Sequence, residues 1–349
     1  MIYLLAFLLA ALLSVVLVPV VERLARHLGA IDLPVGGRKI HHKAVVRLGG
    51  LCMAASFIIT VLYSLGVSRQ LLGLLAGIVV LVTVGVVDDV RSLSPWHKLF
   101  WQVVAACVAL AGGIGITSFT NPIGGVISLQ AGRTALSVGS FHFHITPIAN
   151  LFSLLWMVAL INAINFLDGL DGLAGGVSGI AAVVMFALAI SARVHQPEVA
   201  LLAVILAGSI FGWLPVNMYP ARMFMGDSGA YFLGLTLAML SIYSGAKLAT
   251  AVLVLGIPLL DMGWAVLRRL YRRRSPFTAD RGHLHHLMLD AGLSQRQAVA
   301  IFYLVAAVFG ATALFTGSFA KLLSMGILLV VMAILTAVLL RAAKRKTTT

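Results

Sequence analysis

Eleven apolar segments dominate the sequence, and each approaches the length of about 20 residues that an α-helix needs to cross a bilayer. A chain inside lipid must satisfy its own backbone hydrogen bonds, so such runs predict transmembrane helices. We therefore expect an all-α polytopic membrane protein with a single domain, residues 1–349, because the loops between the segments are too short for a second one. The predicted spans lie near 1–21, 49–66, 70–87, 99–117, 145–162, 176–192, 198–214, 228–244, 248–267, 298–316 and 321–340.

Composition and charge agree with a membrane location. Hydrophobic residues make up 61% of the chain and charged residues only 10%, too few to cover a water-exposed surface. The net charge is +14, but the basic residues flank apolar runs and form no single basic face, so we expect contact with membrane lipids and no nucleic-acid partner. The positive-inside rule places the N-terminus outside and the C-terminus in the cytoplasm. Five of the 25 lysines and arginines then lie outside: Arg69, Arg133, Arg193, Lys247 and Lys321.

One long segment, residues 117–144, falls on the predicted outer side. Alternating polar and apolar residues at 126–129 and 140–144 predict a short β-hairpin there. His142 and His144 stand two apart, which would suit a metal site on a strand, although a solvated hairpin face fits the spacing better.

The acidic residues gather at the predicted cytoplasmic ends of the helices. Asp88 and Asp89 end the third span, and Lys98 follows them. Adjacent carboxylates repel each other unless a cation shares them, so this pattern indicates divalent-metal or phosphate chemistry; a solvated helix end is the alternative. The acids of this group are Asp88, Asp89, Asp168, Asp171, Asp227, Asp280 and Asp290.

The segment Asn-Ala-Ile-Asn-Phe-Leu-Asp-Gly-Leu-Asp-Gly carries a second set of polar residues. Spacings of three place Asn162, Asn165, Asp168 and Asp171 along one helical face, and the glycines allow the backbone to turn close to a ligand. Carbonyl and carboxylate oxygens are the ligands that Mg²⁺ and the polar edge of a nucleotide prefer.

A third motif, Phe-Met-Gly-Asp-Ser-Gly, opens the eighth predicted span. Free backbone N–H groups at a helix N-terminus attract phosphate, and the Asp227 carboxylate could hold the metal of that phosphate. A plain N-cap is the alternative role for Asp227.

Two cytoplasmic loops carry the remaining candidates. Arg281, His283, His285 and His286 lie in the long loop, where a phosphate or sugar contact fits better than zinc because no cysteine or evident fourth ligand is near. Lys39 and His41 belong to a basic first loop. That loop either draws an anionic donor or lipid phosphate inward or serves only to fix the topology.

Together these motifs resemble those of the bacterial polyprenyl-phosphate N-acetylhexosamine-1-phosphate transferases, glycosyltransferase family 4. The resemblance runs from Asp32 to Leu293, and its most specific parts are the Asn-Asp segment, Met-Phe-Met-Gly-Asp-Ser-Gly and Ser-Pro-Phe-Thr-Ala-Asp-Arg-Gly-His-Leu-His-His. The last motif is closer to the WecA/TagO-like branch, which starts O-antigen, enterobacterial common antigen or wall teichoic acid synthesis, than to the peptidoglycan branch.

The resemblance implies that UDP-N-acetylglucosamine and undecaprenyl phosphate give undecaprenyl-diphospho-N-acetylglucosamine and UMP, with Mg²⁺ or Mn²⁺, at the bacterial cytoplasmic membrane. It also implies a homodimer. One-step attack and a route through a phosphoryl-aspartate are both compatible with the motifs. The implied metal ligands are Asn165 and Asp227; the implied catalytic residues are Asp88, Asp89, Lys98 and Asp168; the implied substrate-binding residues are Lys39, His41, Asn162, Asp171, Arg281, His283, His285 and His286.

Two alternatives remain at this stage. The same reaction could use another UDP-N-acetylhexosamine or UDP-N-acetylmuramoyl-pentapeptide, since a difference of one hydroxyl or methyl group is read by pocket geometry. A cation-binding transporter would carry acids near the bilayer midplane and show inverted repeats. Only Asp261, which follows Pro258, is a candidate for that depth, and it could equally be structural.

Overall fold

A computed structural model describes residues 1–33, 44–121, 124–138, 141–192, 194–244, 248–273, 275 and 282–348. Three of the predicted substrate-binding residues, Lys39, His41 and Arg281, lie outside these described residues.

The chain is an all-α, multi-pass membrane protein. Seven described helices are long and apolar enough to cross a membrane, and α9 and α10 together would make an eighth, although they meet at a bend of 79°. Three further predicted spans correspond to α2, α4 and α8, with 16, 17 and 18 residues. The total of eleven spans and their orientation therefore remain predictions. The helices are α1 Ile2–Leu28, α2 Gly49–Ser64, α3 Arg69–Arg91, α4 Pro95–Ala111, α5 Pro147–Leu167, α6 Leu173–Ile190, α7 Pro197–Asn217, α8 Gly226–Tyr243, α9 Leu248–Val254, α10 Gly256–Tyr271, α11 Leu284–Asp290, α12 Gln295–Phe315 and α13 Ser318–Thr348.

Short antiparallel strand pairs complete the described part of the chain. The predicted outer segment contains two hairpins instead of one, because each of its alternating runs pairs with its own neighbour: β3 with β4, and β5 with β6. A further pair, β1 with β2, flanks the first basic loop. The strands are β1 Ile31–Asp32, β2 Val45–Val46, β3 Ser118–Thr120, β4 Val126–Ser128, β5 Thr134–Val138 and β6 Phe141–Ile145.

Three glycines, Gly50, Gly85 and Gly229, form a glycine seam where α2 and α3 meet α8. A Cβ atom at Gly85 would lie 2.5 Å from the backbone nitrogen of Ser228, and one at Gly50 would lie 2.6 Å from its carbonyl carbon. At these distances only hydrogen fits, since carbon atoms normally pack about 3.5–4.0 Å apart. The seam therefore brings the C-terminal turn of α3 against the first turn of α8.

Candidate active site

Asp89 caps the N-terminus of α8 from the neighbouring helix α3. Its Oδ1 accepts a hydrogen bond from the backbone N–H of Asp227 at 2.8 Å, and its Oδ2 accepts from the N–H and the hydroxyl of Ser228 at 3.2 and 2.9 Å. We expected these helix N-terminal N–H groups to be free for phosphate. That expectation is wrong for Asp227 and Ser228, because a carboxylate of the protein already occupies the position of the anion.

Lys98 and Asn165 hold the Asp227 side chain from opposite sides. The Lys98 ammonium lies 2.8 Å from Asp227 Oδ2 and also pairs with Asp88, while the Asn165 amide donates to Asp227 Oδ1 at 2.8 Å. Lys98 reaches this point because Ser94 caps α4 and Pro95 begins it, which places the lysine in the first turn. The structure thus brings together four predicted residues from four helices.

One helical turn farther into the bundle, Gln102 and Asn162 form a second link between α4 and α5. The Asn162 amide donates to Gln102 Oε1 at 2.6 Å and to the carbonyl of Val158 at 2.8 Å. The Gln102 amide donates back to Asn162 Oδ1 at 3.4 Å. Asn162, predicted to bind substrate, is bonded to protein here, and Gln102 is a residue that sequence reasoning missed. Its spacing of four from Lys98 is the signal that could have found it.

Asp168 follows the last residue of α5 and interacts electrostatically with the same cluster. Desolvation, followed by the negative charges of Asp227 and Asp89, raises the pKa of the Asp168 carboxyl to about 8. Arg47 opposes this shift. Asp168 therefore keeps its proton near neutral pH, and an added cation would favour its ionised form.

Asp171 and Asn217 join the turn after α5 to the segment that precedes α8. Asp171 Oδ2 accepts from the N–H of Ala221 at 3.0 Å. Asn217, which is buried, accepts from the N–H of Gly172 and donates to the carbonyl of Met223, both at 3.0 Å. Asn217 was also missed, because nothing in the local sequence distinguishes a buried amide at the end of an apolar helix.

The ends of the basic first loop are anchored to the segment before Asp227. Strand β2 forms a parallel bridge from Val46 to Met223, and the N–H of Phe224 donates to the carbonyl of Val46 at 2.9 Å. Beside β2, the Arg47 guanidinium pairs with Asp32 at 3.1 Å. The two ends of the basic loop are thus fixed close to the carboxylate cluster, which consists of Asp88, Asp89, Asp168 and Asp227.

The histidine segment, residues 283–286, begins with a buried hydrogen-bonded pair. His283 Nδ1 lies 2.9 Å from Asp261 Oδ2, and the N–H of Leu284 donates to Asp261 Oδ1 at 2.8 Å. His283 Nε2 lies 3.4 Å from an Arg269 guanidinium nitrogen. Asp261 therefore has protein partners from the loop predicted to be cytoplasmic, which favours its structural role over a place on a transport pathway.

His285 packs directly on the turn that carries Asp168 and Asp171. Its ring blocks the space where Gly169 would carry a side chain, and it lies 5.8 Å from the His283 ring and 4.3 Å from the His286 ring. Burial, with a smaller contribution from His286, lowers the pKa of His285 to about 3, so this imidazole is neutral at physiological pH. Its Nδ1 is buried and has no hydrogen-bond partner among the described residues.

Within the described part of the chain, no three histidine, cysteine or acidic side chains converge as a complete metal site. Mg²⁺ does not require one, since it is usually bound by one or two carboxylates together with substrate phosphates and water. The hard oxygen donors around Asp227 fit such a partial site.

Comparison with known proteins agrees with the motifs. Residues 71–245 match the sequence model of the family described as "Glycosyl transferase family 4". The chain is 29% identical to the "Probable undecaprenyl-phosphate N-acetylglucosaminyl 1-phosphate transferase" of Bacillus subtilis, covering 88% of this chain and 83% of the relative. It is 32% identical to the "Decaprenyl-phosphate N-acetylglucosaminephosphotransferase" of Mycobacterium tuberculosis, covering 81% and 75%. It is also 32% identical to the "Undecaprenyl-phosphate alpha-N-acetylglucosaminyl 1-phosphate transferase" of Haemophilus influenzae, covering 83% and 80%.

Proposed function

Because the chain belongs to glycosyl transferase family 4, we propose that it transfers N-acetylglucosamine 1-phosphate from UDP-N-acetylglucosamine to undecaprenyl phosphate. An oxygen of the lipid phosphate attacks the sugar-linked phosphorus of the donor. The bond between the two donor phosphates breaks, and UMP leaves with its electron pair. The relatives' names supply the substrates of this proposal, and the carboxylate cluster supplies its chemistry.

The observation that carries the proposal is the Lys98 ammonium held between the carboxylates of Asp88 and Asp227. Phosphoryl transfer depends mainly on positioning and on neutralising the charge of the transferring group. Lys98 would pair with an incoming phosphate, and Asp88 would then orient the lipid phosphate or accept its proton. Asp89 already accepts three hydrogen bonds at the start of α8, so in this proposal it positions Asp227 and does not act as a nucleophile.

Asp227 and Asn165 would hold a divalent cation, Mg²⁺ or Mn²⁺. The fit rests on the oxygen donors of these two side chains and on the carboxyl groups of Asp88 and Asp89 beside Asp227. When bound, the cation would neutralise charge on the donor diphosphate. Asp168 and Asp171 would face the nucleoside, and the histidine segment would face the diphosphate and sugar.

This reaction would start a cell-surface polysaccharide at the bacterial cytoplasmic membrane. Transfer from another UDP-N-acetylhexosamine is the second candidate, because the described site has no feature that selects N-acetylglucosamine. A homodimer is part of the proposal by family resemblance.

The test is UMP release by the detergent-purified protein with UDP-N-acetylglucosamine, undecaprenyl phosphate and Mg²⁺. We expect release only when all three are present and almost none from Asp227→Asn, which loses a charged oxygen ligand. Asp290→Asn is the matched control, because Asp290 is an exposed carboxylate at the end of α11.

A panel of UDP-sugars in the same assay identifies the donor. No release with any UDP-N-acetylhexosamine would refute the proposed function. Full activity of Asp227→Asn with an unchanged Mg²⁺ titration would refute the assignment of Asp227.

A further inference from the structure

Asp261 is a buried carboxylate that the reaction above does not use, and both of its oxygens are bonded to the histidine segment. Oδ2 meets His283 Nδ1 at 2.9 Å, and Oδ1 accepts from the N–H of Leu284, the first residue of α11, at 2.8 Å. Asp261 lies in α10, 22 residues before His283. One side chain of α10 thus fixes both the first histidine of the segment and the start of the helix that carries the next two.

The neighbours of His283 determine where its proton lies. Arg269 can only donate hydrogen bonds, so His283 Nε2 facing it must accept. Nδ1 therefore carries the proton and donates it to Asp261. Phe166 holds the ring from a third direction, with centroids 5.4 Å apart, and Arg269 also lies over Phe166 at 5.7 Å. Both nitrogens of His283 are bonded within the protein, so neither is directed at a substrate.

We propose that Asp261 is a positioning residue that fixes the tautomer of His283 and the start of α11, and thereby holds the histidine segment in place for the donor substrate. The link to the site is the contact between His285 and Gly169, in the turn that carries Asp168 and Asp171. This inference rests on the proposed function for its substrate, but its geometry is independent of the reaction.

An asparagine at position 261 affects the two hydrogen bonds of the carboxylate differently. Its oxygen could still accept from the N–H of Leu284, but its NH₂ group would face the N–H of His283. The imidazole could satisfy that group only by moving its proton to Nε2, where it would face the donors of Arg269. Asp261→Asn therefore disturbs His283 selectively, with little change in side-chain volume.

The experiment measures UMP release by the full-length protein as a function of each substrate. The variants are Asp261→Asn, His283→Ala and the double variant, with Asp290→Asn as the control. We expect the KM for the UDP-sugar to rise at least tenfold in Asp261→Asn, since a displacement of about 1 Å can cost roughly 100-fold in rate or binding. The KM for undecaprenyl phosphate and the behaviour of Asp290→Asn should not change. In the His283→Ala background, Asp261→Asn should add no further effect, because it acts through that ring.

A fall in kcat with both KM values unchanged would overturn the proposal, since it indicates only a smaller folded fraction. The proposal would also be overturned if Asp261→Asn raised the donor KM in the His283→Ala background by as much as it does in the wild type. If Asp261→Asn does not fold, His283→Ala alone must raise the donor KM and leave the acceptor KM unchanged, and failure to do so overturns the proposal.

Amide hydrogen exchange separates this inference from the proposed function. In the absence of substrates, peptides covering residues 282–290 should exchange faster in Asp261→Asn than in the wild type or in Asp290→Asn. If the wild type releases no UMP, the proposed function fails and this exchange difference alone decides the positioning role. Equal exchange in all three proteins would overturn it.

Discussion

Gly169→Ala uses a single methyl group to test the contact between the histidine segment and the turn that carries Asp168 and Asp171. The added Cβ would lie 2.8 Å from Cε1 and 3.0 Å from Cδ2 of His285. Nε2 of His285 would lie closer still, and nonbonded heavy atoms pack about 3.5–4.0 Å apart, so the ring or the turn must move by about 1 Å. Gly169 is not among the glycines with positive φ, so the backbone itself accepts alanine and only His285 opposes it.

The expected cost follows from that displacement. Gly169 is exposed, but the His285 ring that the methyl group would displace is buried, and overpacking against a buried side chain costs about 1–3 kcal/mol, which lowers the apparent Tm by a few degrees. Because the turn carries Asp168 and Asp171, a shift approaching 1 Å is expected to reduce kcat/KM by roughly 100-fold. Thermal unfolding in detergent followed by tryptophan fluorescence measures the first effect, and UMP release measures the second.

Two further variants make this test specific. Gly263→Ala, in α10, places a methyl group in open space and should raise Tm slightly, since alanine is favoured over glycine in a helix by about 1 kcal/mol. Adding His285→Ala to Gly169→Ala removes the overlap, so the Tm losses of the two single variants should not add. Wild-type Tm and kcat/KM in Gly169→Ala would refute the described contact.

Three further predictions concern the carboxylate cluster. Asp168→Asn should raise the apparent Tm in EDTA by an amount that grows from pH 5 to about pH 8. The reason is that folding raises the pKa of the wild-type carboxyl from 3.8 to about 8, so the wild type loses stability as this group loses its proton over that pH range, whereas asparagine does not titrate. A pH-independent difference in Tm would contradict this. Asp89→Asn leaves the N–H of Ser228 facing an amide NH₂ and replaces charged hydrogen bonds with weaker neutral ones. We therefore expect the free energy of unfolding to fall by roughly 2–3 kcal/mol, seen as a lower Tm. An unchanged Tm would rule out the cap. Gln102→Leu removes the partner of the Asn162 amide and should lower kcat about tenfold with little change in donor KM; activity equal to that of the wild type would show that this link positions nothing.

Much of the site was predictable because its signals are local. Helical periodicity and punctuating polar residues placed Asp88, Lys98, Asn165 and Asp227 at helix ends, and the structure joins all four through hydrogen bonds or ion pairs. Because successive spans begin and end at the same two levels, acidic residues at helix ends could be expected to lie on one side. The link from Asp88 through Lys98 to Asp227 agrees with that expectation.

The unpredicted parts depend on contacts between distant residues. Asp89 and Asp227 are 138 residues apart, so no local pattern indicates that one caps the helix of the other. The sequence predicts a continuous span near 248–267 and makes Asp261 either a candidate for the bilayer midplane or a structural residue. In the structure α9 and α10 meet at 79° before Pro258, and this bend cannot be recognised from hydropathy alone. The spacing of four between Lys98 and Gln102 could have placed Gln102 near the site, but it does not indicate that its partner is Asn162, 60 residues away.

The glycine seam has a consequence for the order in which the protein is made. Gly50 and Gly85 leave the ribosome well before Gly229, and α8 must insert against helices that are already in the membrane. Until then Asp89 has no helix to cap, and Lys98 has only Asp88 of its two acidic partners. The candidate active site therefore forms late in biosynthesis, when α8 docks and α10 and α11 follow. A chain that ends before residue 226 therefore leaves Asp89 without a helix to cap and Lys98 without Asp227.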